Sequence, residues 1–425
     1  MNIQYSRITE GYVVETPENF RVNRRVFVDQ DVLDREMKSI FERCWLFLGH
    51  ESELPKAGDF IVRTVGGHNL IFVRGQDDKL RAFFNVCPHR GATVCREDRG
   101  NTKLFRCLYH SWAFDTQGKT VVRPEPERYA PGALEAGQFD LPPVPRIEDY
   151  RGFYFINFNP AAESLVEYLA GATKYLDRVV DKSEVGLEVI GGTHQYAIAA
   201  NWKCLCENTY DGYHAGPTHV TFFEYMANAG ELQNMSDSLR VDDLVPHVNL
   251  GNGHVASPSR GAWGRPVARA SSSWSDEAKR DVAELMARLE KRLGKEYASQ
   301  IANDEFNMVI FPNFAVNDHF STNIRTMEPD GPGRLRVNSW SIAPKEETKA
   351  LREVRRKNFL AFLGPGGFAS PDDAEALEHC QRGYYNLPDG WNDVSRGLGA
   401  KDFALTDEFN QRAFWREWSR RMAEA

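Results

Sequence analysis

The chain has 425 residues, enough for two or more domains that each bury a core. Charged residues make up 26% and the formal net charge is −8, so the basic face of a nucleic-acid binder is excluded and no nucleic-acid partner is expected. The N-terminal M-N-I-Q-Y-S-R has no apolar signal region and no run of eighteen apolar residues occurs, so no membrane partner is expected either.

Residues 1–28 read as an irregular arm. Asp29 or Asp31 is placed to cap a helix running to about Trp45, with Leu33, Met37, Phe41 and Cys44 on its apolar face. From Leu46 to about Phe158 the pattern changes to short β-prone runs broken by Gly and Asp, such as D-F-I-V-R-T-V and N-L-I-F-V-R-G. These predict a small antiparallel sheet domain, with G-F-Y-F-I-N at Gly152–Asn157 as its last strand.

Within that region lies C-P-H-R-G, followed by C-L-Y-H. Cys87, His89, Cys107 and His110 therefore present C-x-H and C-x-x-H. Two thiolates and two imidazoles suit a Rieske [2Fe–2S] cluster or a tetrahedral Zn²⁺. A zinc knuckle, the core of a metal-stabilised binding protein, usually pairs Cys with Cys and His with His, whereas here each loop carries one of each. A Rieske electron carrier of the respiratory type resembles this less well. It needs a disulfide-forming Cys beside each ligand pair, yet position 108 is Leu and Cys95 lacks a partner at the matching place. Trp112 and Phe114 follow the second loop and are expected to cover the cluster. Apolar cover sets dielectric and solvent access. The other five cysteines (Cys44, Cys95, Cys204, Cys206, Cys380) are odd in number and scattered. A disulfide framework is not expected, and a reducing cytoplasm is.

Residues 164–181 read as helical, and H-Q-Y-A-I-A-A-N-W-K as a strand. It leads into E-N-T-Y-D-G-Y-H-A-G-P-T-H, which holds Asp211, His214 and His219 as D-x₂-H-x₄-H. On a helix Asp211 and His214 share a face, and Gly216-Pro217 is expected to end that helix so that His219 swings back beside His214. Two His and one carboxylate on one face of an octahedron form the ligand set of non-haem Fe(II) oxygenases. The carboxylate is sought in G-P-G-G-F-A-S-P-D-D-A-E, at Asp373, with a helix N-cap as the alternative for Asp372 and Asp373. Residues 255–275, rich in Ser, Gly, Arg and Ala, read as a mobile loop. Asp276 to about Ile301 reads as a charged amphipathic helix. Strands follow at M-V-I-F-P-N-F-A-V, S-T-N-I-R-T-M and L-R-V-N-S-W-S-I. Residues 345–362 are expected to form a helix, and the last helix begins near Thr406, with Phe414, Trp418 and Met422 as a packing stripe.

The ordered set C-x-H…C-x₂-H, N-W-K, E-N…D-x₂-H-x₄-H and G-P-x-G-F-x₃-D-D resembles the α subunit of Rieske non-haem iron aromatic-ring-hydroxylating oxygenases over nearly the whole chain. The resemblance implies an α+β fold: residues 1–45 as the N-terminal part of the catalytic domain, 46–160 as an antiparallel-β Rieske domain, and 161–425 as a catalytic domain whose antiparallel sheet is flanked by helices. It implies Cys87, His89, Cys107 and His110 as cluster ligands, and His214, His219 and Asp373 as ligands of mononuclear Fe(II). The second Asp of the family's pair is the ligand, which selects Asp373. Asp211 is then the carboxylate that meets His110 of the next subunit around a trimer. One departure exists. The family often has one more residue between E-N and this Asp, which leaves Asn208 unaligned.

The implied activity is cis-dihydroxylation, or hydroxylation, of an aromatic ring with O₂. No G-x-G-x-x-G fingerprint follows a strand, so electrons are expected from a separate ferredoxin or flavin reductase. A homotrimer, or an α₃β₃ assembly with a β subunit, is implied. The expected substrate is an aromatic acid of the benzoate or cumate kind. Phe222, Met226, Leu363 and Phe368 are candidates to line its pocket, with core packing as their alternative. Arg325 is read as a structural ion pair, with a substrate carboxylate as the other reading.

Overall fold

The structure, a computed structural model, describes residues 11–133, 137–228, 246–261, 263–267 and 269–424. Residues 1–10 of the expected arm, and residues 262 and 268 of the expected loop, lie outside the described residues. The chain is α+β and divides into two compact units. Phe41–Leu165 form the smaller, and the larger joins the described residues up to Ile40 with those from Val166 onward.

In the smaller unit the β-prone runs pair antiparallel. Asp59–Val65, His68–Arg74, Leu80–Phe84 and Arg99–Asn101 make a four-stranded sheet. Leu104–Arg106, Ala113–Asp115 and Thr120–Val122 make a second sheet, and Leu46–His50, Arg146–Tyr150 and Phe153–Asn157 a third. Phe60, Ile71, Val73, Phe83, Phe105, Trp112 and Phe114 form one core, and Cys87 and Cys107 are part of it. Each such large apolar side chain contributes about 1.5–3 kcal/mol by burial. The cysteines are thus seated in the buried core of the unit.

The larger unit is built on a seven-stranded antiparallel sheet. Its strands are β1 (Leu187–Ile198), β2 (Val248–Gly251), β3 (His254–Arg260), β4 (Asp304–Ile310), β5 (Phe314–Asp318), β6 (Thr322–Pro329) and β7 (Leu335–Pro344). Their spatial order is β1-β7-β6-β5-β4-β3-β2. The expected helix at 164–181 is present as Leu165–Leu169 and Thr173–Val180. The helices that bear on the site and its support are α1 (Gln30–Glu36), α2 (Trp202–Thr209), α3 (Ala215–Thr218), α4 (Val220–Asn228), α5 (Asp276–Leu293), α6 (Lys295–Asn303), α7 (Lys349–Phe362), α8 (Ala369–Asn386) and α9 (Phe409–Ala423). Among the described residues no helix is long and apolar enough to cross a membrane.

Several expectations change here. The arm is not irregular over its described part: Val13–Glu15 and Phe20–Asn23 are strands, and the second pairs with Trp391–Asp393. A partner so far along the chain leaves no local signal. α1 stops at Glu36 rather than near Trp45, and Met37–Phe41 continue as a wider helical turn. Asp29 takes the N-cap backbone conformation, but its carboxylate pairs with Arg25 at 3.2 Å and makes no cap bond. The expected loop at 255–275 begins as strand β3, which lies between β2 and β4. Its buried residues are His254, Val255, Ala256 and Pro258, which do not alternate apolar with polar, so hydrophobic alternation could not reveal it. The long charged helix is two helices, split at Gly294 with φ 82°. The stripe Phe414, Trp418 and Met422 is fully buried on α9.

One buried carboxylate ties three of these elements together. Glu36, at the end of α1, accepts from Trp202 Nε1 (2.9 Å) and Lys203 Nζ (2.6 Å) on α2, and from Trp418 Nε1 (2.7 Å) on α9. Three donors offset the desolvation of a charge that would otherwise be costly inside. This fixes the start of α2, whose far end carries the site described next.

Candidate metal centres

The smaller unit presents its four candidate ligands on two loops of matching form. Cys87 N–H bonds the Ala92 carbonyl and Gly91 N–H bonds the Cys87 carbonyl, both at 2.8 Å. In the second loop Cys107 N–H bonds the Trp112 carbonyl (2.8 Å) and Ser111 N–H bonds the Cys107 carbonyl (3.1 Å). Gly91 and Ser111 occupy equivalent places, at φ 76° and 58°. A left-handed residue closes each loop; glycine adopts it freely, and Ser111 does so at a cost of about 1–2 kcal/mol.

Each loop points its thiol inward and its imidazole outward. Cys87 and Cys107 are buried, whereas His89 and His110 are half-buried. The His89 and His110 rings lie 4.7 Å apart at 71°, and Trp112 stacks flat on His89 at 4.9 Å and 5°. Trp112 thus covers a ligand ring directly, and Phe114 sits deeper in the core. Burial raises the Cys87 thiol, the backbone N–H groups of His89 and Arg90 favour its thiolate, and the neighbouring Cys107 thiol raises it further. Two sulfurs on one side and two imidazoles on the other are the donor set a Rieske cluster needs.

The second site is organised differently from expectation. Asp211 and His214 are not on one helix, because α2 ends at Thr209. Instead Asp211 folds back on the following turn, accepting from the backbone N–H of Tyr213 (2.9 Å) and His214 (3.3 Å). Between them Gly212 has no room for a side chain, since a Cβ would run into the Leu405 carbonyl. Gly216-Pro217 does not break a helix but lies within α3. His214 is the N-cap of that single turn and His219 its C-cap. Pro217 sits where a first-turn N–H has no intrahelical acceptor, so it is tolerated. One tight turn therefore brings the two His together, with ring centroids 5.2 Å apart.

Asp373 reaches them from α8. It lies inside that helix rather than at its N-cap. Asp373 Oδ1 is 3.3 Å from His214 Nε2 and 3.3 Å from His219 Nε2, and one donor atom from each residue falls within 4.8 Å of the others. Ligands on one face of an octahedron, with bonds near 2.1 Å, lie roughly 3 Å apart, so a first-row divalent cation fits this triad. Asp372 stands aside, with Oδ2 3.8 Å from His219 Nδ1.

Asn208, left unaligned on the sequence, is part of the cluster. Its Nδ2 donates to Asp373 Oδ1 at 3.0 Å and lies 3.1 Å from His214 Nε2. On the outer side His214 Nδ1 is 3.1 Å from Asp211 Oδ2. Burial opposes charge on His214, but Asp211 and Asp373 outweigh it and take the ring up to about 9. Burial likewise opposes the Asp373 anion, and the two imidazoles overcome it, holding the carboxyl well below its usual range. Asp211 is lowered for the same reason by His214 and by backbone N–H groups.

The four pocket candidates gather beside the triad. Phe222 and Met226 on α4 pack with Phe320, Phe362 and Phe368, and Phe362 lies 6.4 Å from His219. Leu363 lines a narrow crevice with Phe362, Phe320 and His319. Arg325, on β6, reaches Thr209 Oγ1 at 3.3 Å, next to Asn208, and among the described residues it has no ion pair.

Comparison with known proteins gives a consistent result. Residues 44–145 match the Rieske [2Fe-2S] domain, and residues 185–424 match the ring hydroxylating alpha subunit (catalytic domain). The chain is 35% identical to the 2-halobenzoate 1,2-dioxygenase large subunit of Burkholderia cepacia, covering 89% of this chain and 80% of that one. It is 33% identical to the toluate 1,2-dioxygenase subunit alpha of Pseudomonas putida, over 91% and 84% of the two chains. A solved naphthalene 1,2-dioxygenase with indole bound in the active site superposes with a TM-score of 0.84 at 26% identity, over 98% and 95%. A zinc-stabilised binding protein and a pure electron carrier, the two alternatives open on sequence, need neither this catalytic domain nor its second centre. The chain belongs to the ring-hydroxylating oxygenase family as an α subunit, an aromatic-ring dioxygenase with a Rieske [2Fe–2S] domain and a catalytic domain that uses mononuclear iron.

Proposed function

We propose that this subunit dihydroxylates, or singly hydroxylates, an aromatic acid of the benzoate or cumate kind. O₂ is the co-substrate, and electrons come from a separate ferredoxin or flavin reductase. The observation that carries the reading is the convergence of His214, His219 and Asp373 in a chain that also sets two Cys and two His on matched loops. Relatives named for 2-halobenzoate and toluate support an acid as the substrate.

In this reading Cys87 and Cys107 hold one iron of the cluster and His89 and His110 the other, while His214, His219 and Asp373 hold Fe(II). When bound, the cluster supplies single electrons and the mononuclear iron supplies activation of O₂ beside the substrate. The chain's own groups prepare the site. Asp211 accepts the Nδ1–H of His214 and so leaves the Nε2 lone pair facing Asp373 and His219. Asn208 donates to one oxygen of Asp373 and fixes the carboxylate's orientation. Phe222, Met226, Leu363 and Phe368 keep water from the adjoining space.

The subunits assemble as a homotrimer or as α₃β₃, in the cytoplasm, and electrons cross from His110 of one subunit to Asp211 of the next. Exposed apolar groups flank both ends of that route: Leu108 and Tyr109 beside His110, and Tyr213 beside Asp211. Such side chains at a cluster's edge suit a covering neighbour. The five cysteines outside the cluster form no disulfide, which accords with a reducing compartment. The test is turnover of benzoate with labelled dioxygen, a ferredoxin and its reductase. A cis-diol carrying both labelled atoms is expected; a chain that holds both metal centres yet forms no oxygenated product would reject the reading.

A further inference from the structure

The pairing of the large sheet places five polar residues in one row. Ser257 lies opposite Asn307, Asn307 opposite Asn317, Asn317 opposite Asn323, and Asn323 opposite Ser341. Directly paired residues share a face, and Arg325, two positions after Asn323 on β6, points the same way. Two contacts identify that face. Ser257 Oγ donates to the Tyr210 carbonyl at 2.7 Å, and Arg325 Nη2 donates to Thr209 Oγ1 at 3.3 Å. Thr209 and Tyr210 directly follow Asn208, whose amide touches His214 and Asp373. The row therefore underlies the segment that delivers the metal-site residues.

This floor is polar, buried and incompletely bonded. Asn317 Oδ1, Asn323 Oδ1, Arg325 Nε and Ser341 Oγ are buried without a hydrogen-bond partner among the described residues. Arg325 is 2% exposed. Two comparably buried arginines show what such a group ordinarily has: Arg265 pairs with Asp318 at 2.8 Å and Arg355 with Glu347 at 2.7 Å. Arg325 has no carboxylate within ion-pair distance among the described residues, and Thr209 Oγ1 is its one hydrogen bond there. A buried charge is expensive unless an opposite charge meets it. Native interiors also leave few polar atoms unpaired, so a cluster of them calls for a missing partner.

We infer that Arg325, with Asn323 and Asn317, anchors the carboxylate of the substrate, a monocyclic aromatic acid. This deepens the aromatic-acid reading and rests on it. A carboxylate accepts about four hydrogen bonds, and Arg325 Nε with an Nη offers two in the bidentate geometry that guanidinium and carboxylate share. The amides supply more. Asn317 Nδ2 donates to Asn307 Oδ1, and Asn323 Nδ2 donates to Ser339 Oγ at 3.4 Å; turning both amides about their last torsion, with Asn307 turning in concert, exchanges nitrogen for oxygen and directs each donor toward an anion. An apolar cluster of Phe222, Phe320, Phe362 and Met226 lies on the His219 side of the triad. A benzoate-like molecule matches that division. Its carboxylate meets the polar floor, its ring meets the apolar cluster, and the triad lies alongside.

The test is calorimetric titration of the holoenzyme with benzoate and with toluene. A charge-assisted hydrogen bond contributes about 1.5–3 kcal/mol, so Arg325→Gln should lower the benzoate-to-toluene affinity ratio about 10–100-fold. Asn323→Leu and Asn317→Leu remove neutral donors and should each lower it about 3–10-fold. The same ratios should appear in kcat/KM for the acid. If Arg325→Gln does not fold, the two asparagine variants decide by the same ratio. Variants that leave the ratio unchanged, or that lose benzoate and toluene equally, would overturn the anchor while leaving the aromatic-acid reading intact. A wild-type enzyme that binds toluene but not benzoate would overturn both.

Discussion

Replacing Asp211 with Asn probes how the two centres are coupled. The wild-type carboxylate meets His214 Nδ1 at 3.1 Å and the backbone N–H of Tyr213 and His214 at 2.9 and 3.3 Å. An amide keeps the shape and one acceptor oxygen, so the turn at Tyr213 should survive; what disappears is the charge. A hydrogen bond to an ionised group contributes about 1.5–3 kcal/mol, and outer hydrogen bonds to metal-binding His groups typically govern about 10–100-fold in affinity or activity. An effect confined to the His214 ring should therefore stay within about 100-fold. A carboxylate that also meets His110 of a neighbouring subunit loses a second contact, and turnover should fall beyond that window. The assay starts from anaerobically reduced enzyme with substrate, adds O₂, and follows reoxidation of the cluster by its visible absorption. We expect Asp211→Asn to retain cluster and iron, to reoxidise more than about 100-fold slower, and to form almost no product. Near-normal product formation would remove Asp211 from the mechanism. A loss that tracks iron content alone would reduce it to a support for His214.

Asp373→Ala should lose the mononuclear iron and keep the cluster, whereas Asp372→Ala should keep both, because only Asp373 lies 3.3 Å from both Nε2 atoms; iron analysis showing the reverse would exchange their roles. Co-expressing Cys107→Ala with His214→Ala chains should restore activity that neither variant has alone; folded mixed assemblies that stay inactive would rule out the inter-subunit route. His254 is buried and held neutral, accepting from Phe311 N–H at 2.9 Å and bonding the Tyr168 carbonyl at 2.7 Å. Burial, only partly offset by the Tyr168 carbonyl, takes it down to about 4. The unfolded chain, with an ordinary His near 6.5, then binds more protons between pH 6.5 and 4, so stability falls as pH drops through that window, by about 3 kcal/mol from this residue. Denaturant titrations across that range should show a shallower acid slope in His254→Gln; an unchanged slope would contradict the assignment.

The cluster loops were legible because their chemistry is local. C-x-H and C-x-x-H fit one short loop each, so spacing alone nominates Cys87, His89, Cys107 and His110. What the sequence could not show was that the loops are conformational copies, since Ser111 gives no hint of the left-handed backbone it shares with Gly91. The His pair was found for a partly mistaken reason. Gly216-Pro217 reads as a breaker, yet Pro217 in a first turn is compatible with helix, and the break falls earlier, after Thr209. Asn208 was missed because its role depends on α8 arriving from 165 positions away. β3 was hidden because its buried run, His254, Val255, Ala256 and Pro258, has no apolar–polar alternation and contains a Pro that argues against a central strand. Arg325 shows the same limit from the other side. A lone Arg in a strand suggests an ion pair, and only the fold reveals that none is present among the described residues.

Two distinct iron centres on separate ligand sets require a fixed metal content. Iron, zinc and acid-labile sulfide measured on the purified protein test it most directly. About three irons and two sulfides per chain are expected, without stoichiometric zinc; zinc in place of iron, or two irons and no third in fully folded protein, would refute the two centres.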